Sequence, residues 1–244
     1  MSEKGQKIAA ALAQAAPRVA LLAGSTGFVG SRLLSLLLEG SDYQRVHALS
    51  RRPLTFDHPR LANRIMPLEG VESRLAGFTC QDAYCCLGST RREAGSDAEL
   101  RRVDVDLVLG FARAARACGA QRFIVLSSAG AATDARQPYL RHKAEVEQAL
   151  AGAGFPSLDI LRPGPLLGWR GEVRPLELVA SVVMPLINPL LSGRWTQFRG
   201  IGGREVALAM LGAARSQRKG VYVYAGEGLE QLAQLGRRPP RTGP

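Results

Sequence analysis

Short runs of uninterrupted apolar residues alternate along this chain with segments in which apolar positions recur every three or four residues, and several of the runs end at a glycine. A strand covered on both faces is apolar throughout, whereas a helix lying on a sheet is apolar on one side only. Val19–Ala23 is therefore expected to be a first buried strand, followed by SRLLSLLLEG as a helix. Residues 45–49 alternate into a second strand after a turn at Gly40, Ser41 and Asp42. A weaker third strand is expected at 63–68, a brief helix at 69–77 and a clear buried strand at 83–87. Residues 99–118 carry a helical repeat through Leu100, Val103, Leu107, Phe111 and Ala114 or Ala115, and Gly119 stops it. The fifth strand is read at Arg122–Leu126, and a helix opens at Tyr139. The sixth strand is 158–161, a helix runs over 202–216, and 220–225 alternates into a last strand. One strand, loop and helix per unit is the α/β pattern of a Rossmann-like, doubly wound parallel sheet of about seven strands.

A chain of 244 residues with 46% hydrophobic content can bury a full core, which favours one large domain over two small ones. The reading is a single domain over 1–244 with its core at 18–226, a substrate-side lid at about 163–202, and flexible tails at 1–7 and 236–244. Residues 5–16 form a short amphipathic helix stopped by Pro17. The apolar stretch 176–195, broken by Pro185 and Pro189, reads as a broken helix or lid whose apolar face packs on the core, lines a substrate pocket, meets another subunit or rests on a membrane surface. No apolar run reaches the roughly 18 uninterrupted residues of a membrane-spanning helix. The N-terminal stretch MSEKGQKIAAALAQAAP lacks a signal-peptide cleavage pattern, so a cytoplasmic protein is expected.

The formal charge of +11 asks whether the chain reads nucleic acid. Its arginines are scattered as Arg51 and Arg52, Arg91 and Arg92, Arg101 and Arg102, Arg113, Arg116 and the tail RRPPRTGP, with neither a dense basic block nor interleaved aromatics. A solvated basic surface plus a phosphate pocket accounts for them better than a nucleic-acid partner. Cys80, Cys85, Cys86 and Cys118 form no C-x-x-C pair, and Cys85 and Cys86 on one strand point to opposite faces. They read as reduced core residues, with no metal site.

The candidate chemistry begins at the first strand. Gly24, Gly27 and Gly30 stand three apart between a strand and a helix. A dinucleotide pyrophosphate needs bare backbone, a tight turn and a helix N-terminus facing it, although such a turn also serves packing alone. At the end of the second strand, where an acid would bond an NAD ribose, stand Ser50, Arg51 and Arg52. Two guanidiniums suit a 2′-phosphate and argue for NADP(H); the plainer alternative is a pair of surface arginines. Gly88 after the fourth strand lets a cofactor approach the backbone.

Tyr139 and Lys143 are four apart, so they share one helix face. A free phenol ionises near pH 10, and a cation beside it favours the phenolate. Lys143 supplies that cation and also bonds nicotinamide ribose hydroxyls. Ser128 at the end of the fifth strand, with Ser127 as the alternative, orients a carbonyl oxygen to which Tyr139 delivers a proton. His142 reads as a helix-surface residue.

Taken together, GSTGFVG, SRRPLTF, CCLGSTR, LSSAGA, YLRHKAEVE and LRPGPLLG stand in one order from about Ala20 to about Leu211. The chain thereby resembles the atypical short-chain dehydrogenases related to the human Tat-interacting tumour-suppressor protein. The resemblance implies a Rossmann fold binding NADPH, with Gly24, Thr26, Gly27, Phe28, Val29, Arg51, Arg52, Leu87, Gly88, Tyr139 and Lys143 as contacts. Gly30 belongs to the same turn, and Leu166 and Arg174 match positions near the nicotinamide and phosphate end. At Phe28 and Val29 the family carries a more polar pair, which bears on any shared protein partner more than on the cofactor. The activity implied is hydride transfer to or from a small carbonyl or alcohol substrate. The contrasting reading is a non-catalytic NADPH-binding regulatory or scaffold protein with a protein partner or as a homodimer.

Overall fold

Alternate residues of the first strand enter two different cores. In β1 (Val19–Ala23), Ala20 and Leu22 join Leu33, Leu37, Val46 and Met210 on one side, while Leu21 and Ala23 join Leu49, Phe111, Phe123 and Leu158 on the other. A sheet buried on both faces is the physical reason its strands read as unbroken apolar runs. The structure is a computed structural model, and it describes residues 18–89, 95–167 and 193–239.

Seven parallel strands build the sheet. β2 (Arg45–Ser50), β3 (Leu61–Ile65), β4 (Asp82–Cys85), β5 (Arg122–Leu126), β6 (Ser157–Leu161) and β9 (Gly220–Tyr224) join β1 in the order β3-β2-β1-β4-β5-β6-β9. A separate parallel pair, β7 (Leu166–Leu167) and β8 (Ile201–Gly202), sets Leu166 against Ile201. The expected α/β Rossmann-like sheet is thus observed. β1 and β4 are parallel, hydrogen-bonded neighbours, and the order in which successive strands join the sheet reverses between them; ligands in such sheets lie in the crevice outside those strand ends.

Helices α1 (Phe28–Glu39), α6 (Gly203–Ser216) and α7 (Glu227–Arg237) pack with the first core. Helices α4 (Leu107–Ala117) and α5 (Pro138–Ala151), with the single turn α2 (Val71–Arg74), pack with the second. Crossing α6 over α7 demands glycine, because a β-carbon on Gly212 would lie 1.9 Å from the Leu232 carbonyl oxygen.

The differences from expectation have local causes. The continuous helix read at 99–118 is broken into α3 (Asp97–Arg101), a wide π turn (Arg102–Asp106) and α4. α3 starts earlier because Ser96 Oγ accepts the Glu99 N–H at 3.1 Å. β4 stops at Cys85, which leaves Leu87 and Gly88 in a loop. Gly236, read as part of a flexible tail, lies buried within α7. The helix read at 5–16, the tail 1–7, Arg91, Arg92, Arg174, most of the 176–195 segment and residues 240–244 lie outside the described residues.

A buried polar network closes the foot of the sheet, at the strand ends opposite the crevice. Tyr43 donates to Asp82 Oδ2 at 2.7 Å and its hydroxyl meets that of Tyr84 at 2.7 Å. Arg18 pairs with Asp82. Arg122 donates to Ser157 Oγ at 3.1 Å and stands 3.6 Å from Asp159 Oδ2 and 3.8 Å from Asp82 Oδ1.

Candidate active site

The turn out of β1 is shaped by two close approaches. Gly24 has φ +83°, and a β-carbon on it would lie 2.6 Å from the Cys86 carbonyl oxygen, so β1 and β4 end against each other there. A β-carbon on Gly30 would lie 2.0 Å from the Gly24 carbonyl oxygen, which seats the helix directly on the turn. Gly27 differs: its β-carbon would stand 3.3 Å from that oxygen. It is exposed, as is Thr26, and it begins α1 with no side chain capping the helix and no acid in the first turn. An N-terminus of this kind presents positive charge to an anion. The Phe28 ring instead packs on Gly203 and under the Arg32 guanidinium, 4.0 Å from the ring centre, and the Val29 side chain is buried in the core.

Arg51 and Arg52 stand exposed at the end of β2. The Ser50 hydroxyl beneath them lies 2.7 Å from the Arg52 carbonyl oxygen and 2.7 Å from the Asn63 amide oxygen, so it shapes the turn. Glu99 on α3 has its carboxyl held below the usual range, chiefly by Arg102 and in part by Arg51.

Lys143 is buried, with its Nζ 2.7 Å from Asp104 Oδ1 and 5.5 Å from the centre of the Tyr139 ring. The Tyr139 side chain itself is half-buried. Burial pulls the Lys143 ammonium down, but Tyr139 and then Asp104 outweigh it, and its pKa is raised. The loop after β4 rests on this pair: a β-carbon on Gly88 would lie 3.3 Å from both Asp104 Oδ1 and Lys143 Nζ. Asp104 Oδ2 accepts the Ser89 N–H at 3.4 Å, while Oδ1 has no hydrogen bond beyond the ion pair among the described residues. The π turn carries Asp104 to this place, and such turns cluster at functional sites. Sequence reasoning missed Asp104. Its signal was a carboxylate four residues after Leu100, on the stripe meant for apolar residues.

The two serines after β5 have separate surroundings. Ser127 is buried and donates to Glu147, which Arg162 also grips from Nε at 2.9 Å. Ser128 is half-buried, and among the described residues its hydroxyl makes a local 3.3 Å bond to the Ala129 carbonyl oxygen. Glu147, unremarked in the sequence, is the third member of the Tyr139, Lys143 and Glu147 stripe on α5. Leu166 is half-buried in β7 and packs on the first core. His142 was read as a surface residue, yet its Nδ1 is buried with no partner among the described residues. The four cysteines are free thiols; Cys85 lies in the second core and Cys86 packs against the first, and burial pushes Cys80 and Cys85 up to about 12. Among the described residues no acidic, His or Cys group could hold a metal.

Comparison with known proteins adds the family. The family model HIM1 matches residues 80–184. The protein HTATIP2 of Rattus norvegicus is 38% identical over 161 residues, covering 64% of this chain and 66% of that protein. The protein fmp52-1, mitochondrial, of Aspergillus terreus is 33% identical over 196 residues, covering 72% of this chain and 80% of that one. The chain belongs to the family of HTATIP2 and FMP52.

Two solved structures agree on the fold. A short-chain dehydrogenase from Burkholderia cenocepacia in complex with NADP superposes with a TM-score of 0.63 at 19% identity, over 89% of this chain and 92% of that one. MoeE5 in complex with UDP-glucose and NAD gives 0.63 at 21%, over 91% and 83%. One expectation is corrected within this HTATIP2 and FMP52 family. The cytoplasmic reading is overturned by fungal relatives named as mitochondrial proteins. It rested on the lack of a secretory signal and of a spanning run, neither of which bears on import into an organelle. Among the described residues no helix is long and apolar enough to cross a membrane.

Proposed function

We propose that the protein is an NADP(H)-dependent oxidoreductase acting on a small carbonyl or alcohol. The observation that carries the reading is the Tyr139, Lys143 and Asp104 arrangement beside Gly88, at the switch point of the sheet. The glycine turn fits a dinucleotide, because the space that β-carbons would fill at Gly24 and Gly30 is taken by backbone and Gly27 opens an uncapped helix. Gly24, Thr26, Gly27 and Gly30, with the backbone of Phe28 and Val29, would hold the diphosphate. Leu87 and Gly88 would border the ribose, Leu166 the nicotinamide, and Arg51 and Arg52 would grip the 2′-phosphate. Arg174, assigned to the same cofactor by resemblance, is outside the described residues.

A nicotinamide dinucleotide seated there supplies or accepts the hydride. The protein's own groups do the rest. Asp104 engages one of the three N–H donors of Lys143, which leaves the others for ribose hydroxyls. Tyr139 holds the proton exchanged with the substrate oxygen. Ser128 orients that oxygen, and the engagement of Ser127 by Glu147 favours Ser128 for the role.

Calorimetric titration with NADPH and NADH tests the cofactor. Removing Arg51 or Arg52 should weaken NADPH by about 1.5 to 3 kcal/mol each, the worth of a charged hydrogen bond, and leave NADH nearly unchanged. Tyr139→Phe should retain NADPH affinity and lower carbonyl reduction about a hundredfold or more. Tight NADPH binding with no consumption across a panel of carbonyls and alcohols would favour the non-catalytic reading instead.

A further inference from the structure

The short helical turn Gly193–Phe198 comes close to residues that follow Ser128 and Tyr139 in the chain. A β-carbon built on Gly130 would lie 3.5 Å from Leu140 Cδ1 and 3.8 Å from the Phe198 ring. Gly130 follows Ser128 by two positions and Leu140 directly follows Tyr139. The Phe198 ring therefore lies against the junction between the serine loop and the first turn of α5. Trp195 extends this surface: its ring meets that of Phe198 at 5.9 Å and 43°, yet it is 52% exposed. Few large apolar side chains in the described chain are left so open.

The backbone under the two rings is fixed. Thr196 donates to the Gly193 carbonyl oxygen at 2.9 Å, and the Arg199 N–H donates to the Thr196 carbonyl oxygen at 3.1 Å. Gly164, in the crossing that follows β6, packs so close that a β-carbon on it would lie 2.3 Å from the Arg199 carbonyl oxygen. Rigid support matters, because aromatic rings recognise shape only when their own freedom is already spent.

We propose that Trp195 and Phe198 are the specificity wall of a substrate subsite for a flat, apolar aromatic carbonyl compound. The assignment rests on the oxidoreductase reading for the identity of Ser128 and Tyr139. Two tilted rings and the Leu140 methyls offer dispersion contact to a planar apolar body and little to a polyhydroxylated one. A ring packed on them gains stacking beyond its buried area. The carbonyl of such a compound would then project toward the Ser128 and Tyr139 hydroxyls.

The test uses the full chain, saturated with NADP+ for binding and with NADPH for turnover, in a Trp169→Phe background that leaves Trp195 as the sole indole reporter. The probes are 1-naphthaldehyde and cyclohexanecarbaldehyde. 1-Naphthaldehyde should quench Trp195 saturably at concentrations about tenfold or more below those the alicyclic aldehyde needs. Phe198→Ala should raise the naphthaldehyde Kd about tenfold with no change in NADPH affinity. Trp195→Ala, followed by calorimetry, should do the same. Equal quenching by both aldehydes, or naphthaldehyde binding indifferent to both substitutions, overturns the proposal. Selective binding without NADPH consumption sustains the subsite and counts against the oxidoreductase reading. Consumption that prefers the alicyclic aldehyde sinks the subsite and leaves the oxidoreductase standing.

Discussion

Lys143 keeps its charge in the core because Tyr139 and Asp104, the latter 2.7 Å away, outweigh its desolvation, and neither member of the Lys143–Asp104 pair can be altered alone without leaving the other stranded. Removing one partner of a buried pair costs about 3 to 5 kcal/mol, since the survivor remains desolvated without a counter-charge. Asp104→Ala should therefore lower the stability seen in urea denaturation at pH 7 by roughly that amount. Asp104→Asn keeps a polar partner and removes the negative charge. The raised Lys143 pKa gives stability that is present at neutral pH and is lost as pH rises through that raised value. With asparagine the loss should begin at lower pH, and the alkaline limb of dinucleotide binding should move down with it. An unmoved limb would separate Asp104 from cofactor binding. The choice between Ser127 and Ser128 also belongs to this scale. Both follow β5, and the sequence favours Ser128 with Ser127 as the alternative; the Ser127 bond to Glu147, a contact that spans twenty residues, supports the same preference.

Elements defined by burial were legible, and elements defined by a polar contact were not. β1 and β5 were read at their observed bounds, because a strand enclosed on both sides shows an unbroken apolar run, Val19–Ala23 in β1 and residues 123–126 after Arg122 in β5. The π turn escaped notice, since Leu100, Val103, Leu107 and Phe111 still fit one helix once Asp104 is ignored. α7 had a readable stripe in Leu229, Leu232, Ala233 and Gly236, obscured by the arginines and prolines that follow it. The β1 to α1 turn was legible as glycine spacing, but only the structure separates the roles of its glycines. Gly30→Ala drives a β-carbon to 2.0 Å from backbone and should lower the melting temperature clearly. Gly27→Ala meets the same oxygen at 3.3 Å, a tight contact that a shift of a few tenths of an ångström relieves, so its loss of melting temperature should be far smaller than that of Gly30→Ala. Its methyl group would instead intrude where the diphosphate approaches, and NADPH affinity should fall without a matching loss of melting temperature. Equal effects of the two substitutions on both readouts would mean that the turn serves packing alone.

For the whole molecule, the sheet separates two kinds of polar chemistry. Its crevice end holds the exposed Gly27, Arg51 and Arg52 with the Lys143 pair, whereas its foot holds a sealed cluster around Arg122. Asp159 there is fully buried, and burial pushes its carboxyl up to about 6, although Arg122, Ser157 and Tyr224 all draw it back. The neighbouring Asp82 adds to the rise. A carboxyl that holds its proton more tightly when folded favours the fold most below its unfolded pKa, and that contribution is lost as pH rises through about 6. The difference from an ordinary aspartate corresponds to about 3 kcal/mol. Asp159→Asn cannot ionise, so its stability relative to wild type should improve between pH 4 and 7 by up to about that amount. Urea denaturation at several pH values reads the difference directly. A gap between variant and wild type that stays constant with pH would mean that Asp159 remains ionised beside Arg122, and that the foot of the sheet is a true ion pair cluster. The crevice should be indifferent to this substitution, because the lengths of β4, β5 and β6 stand between the two ends.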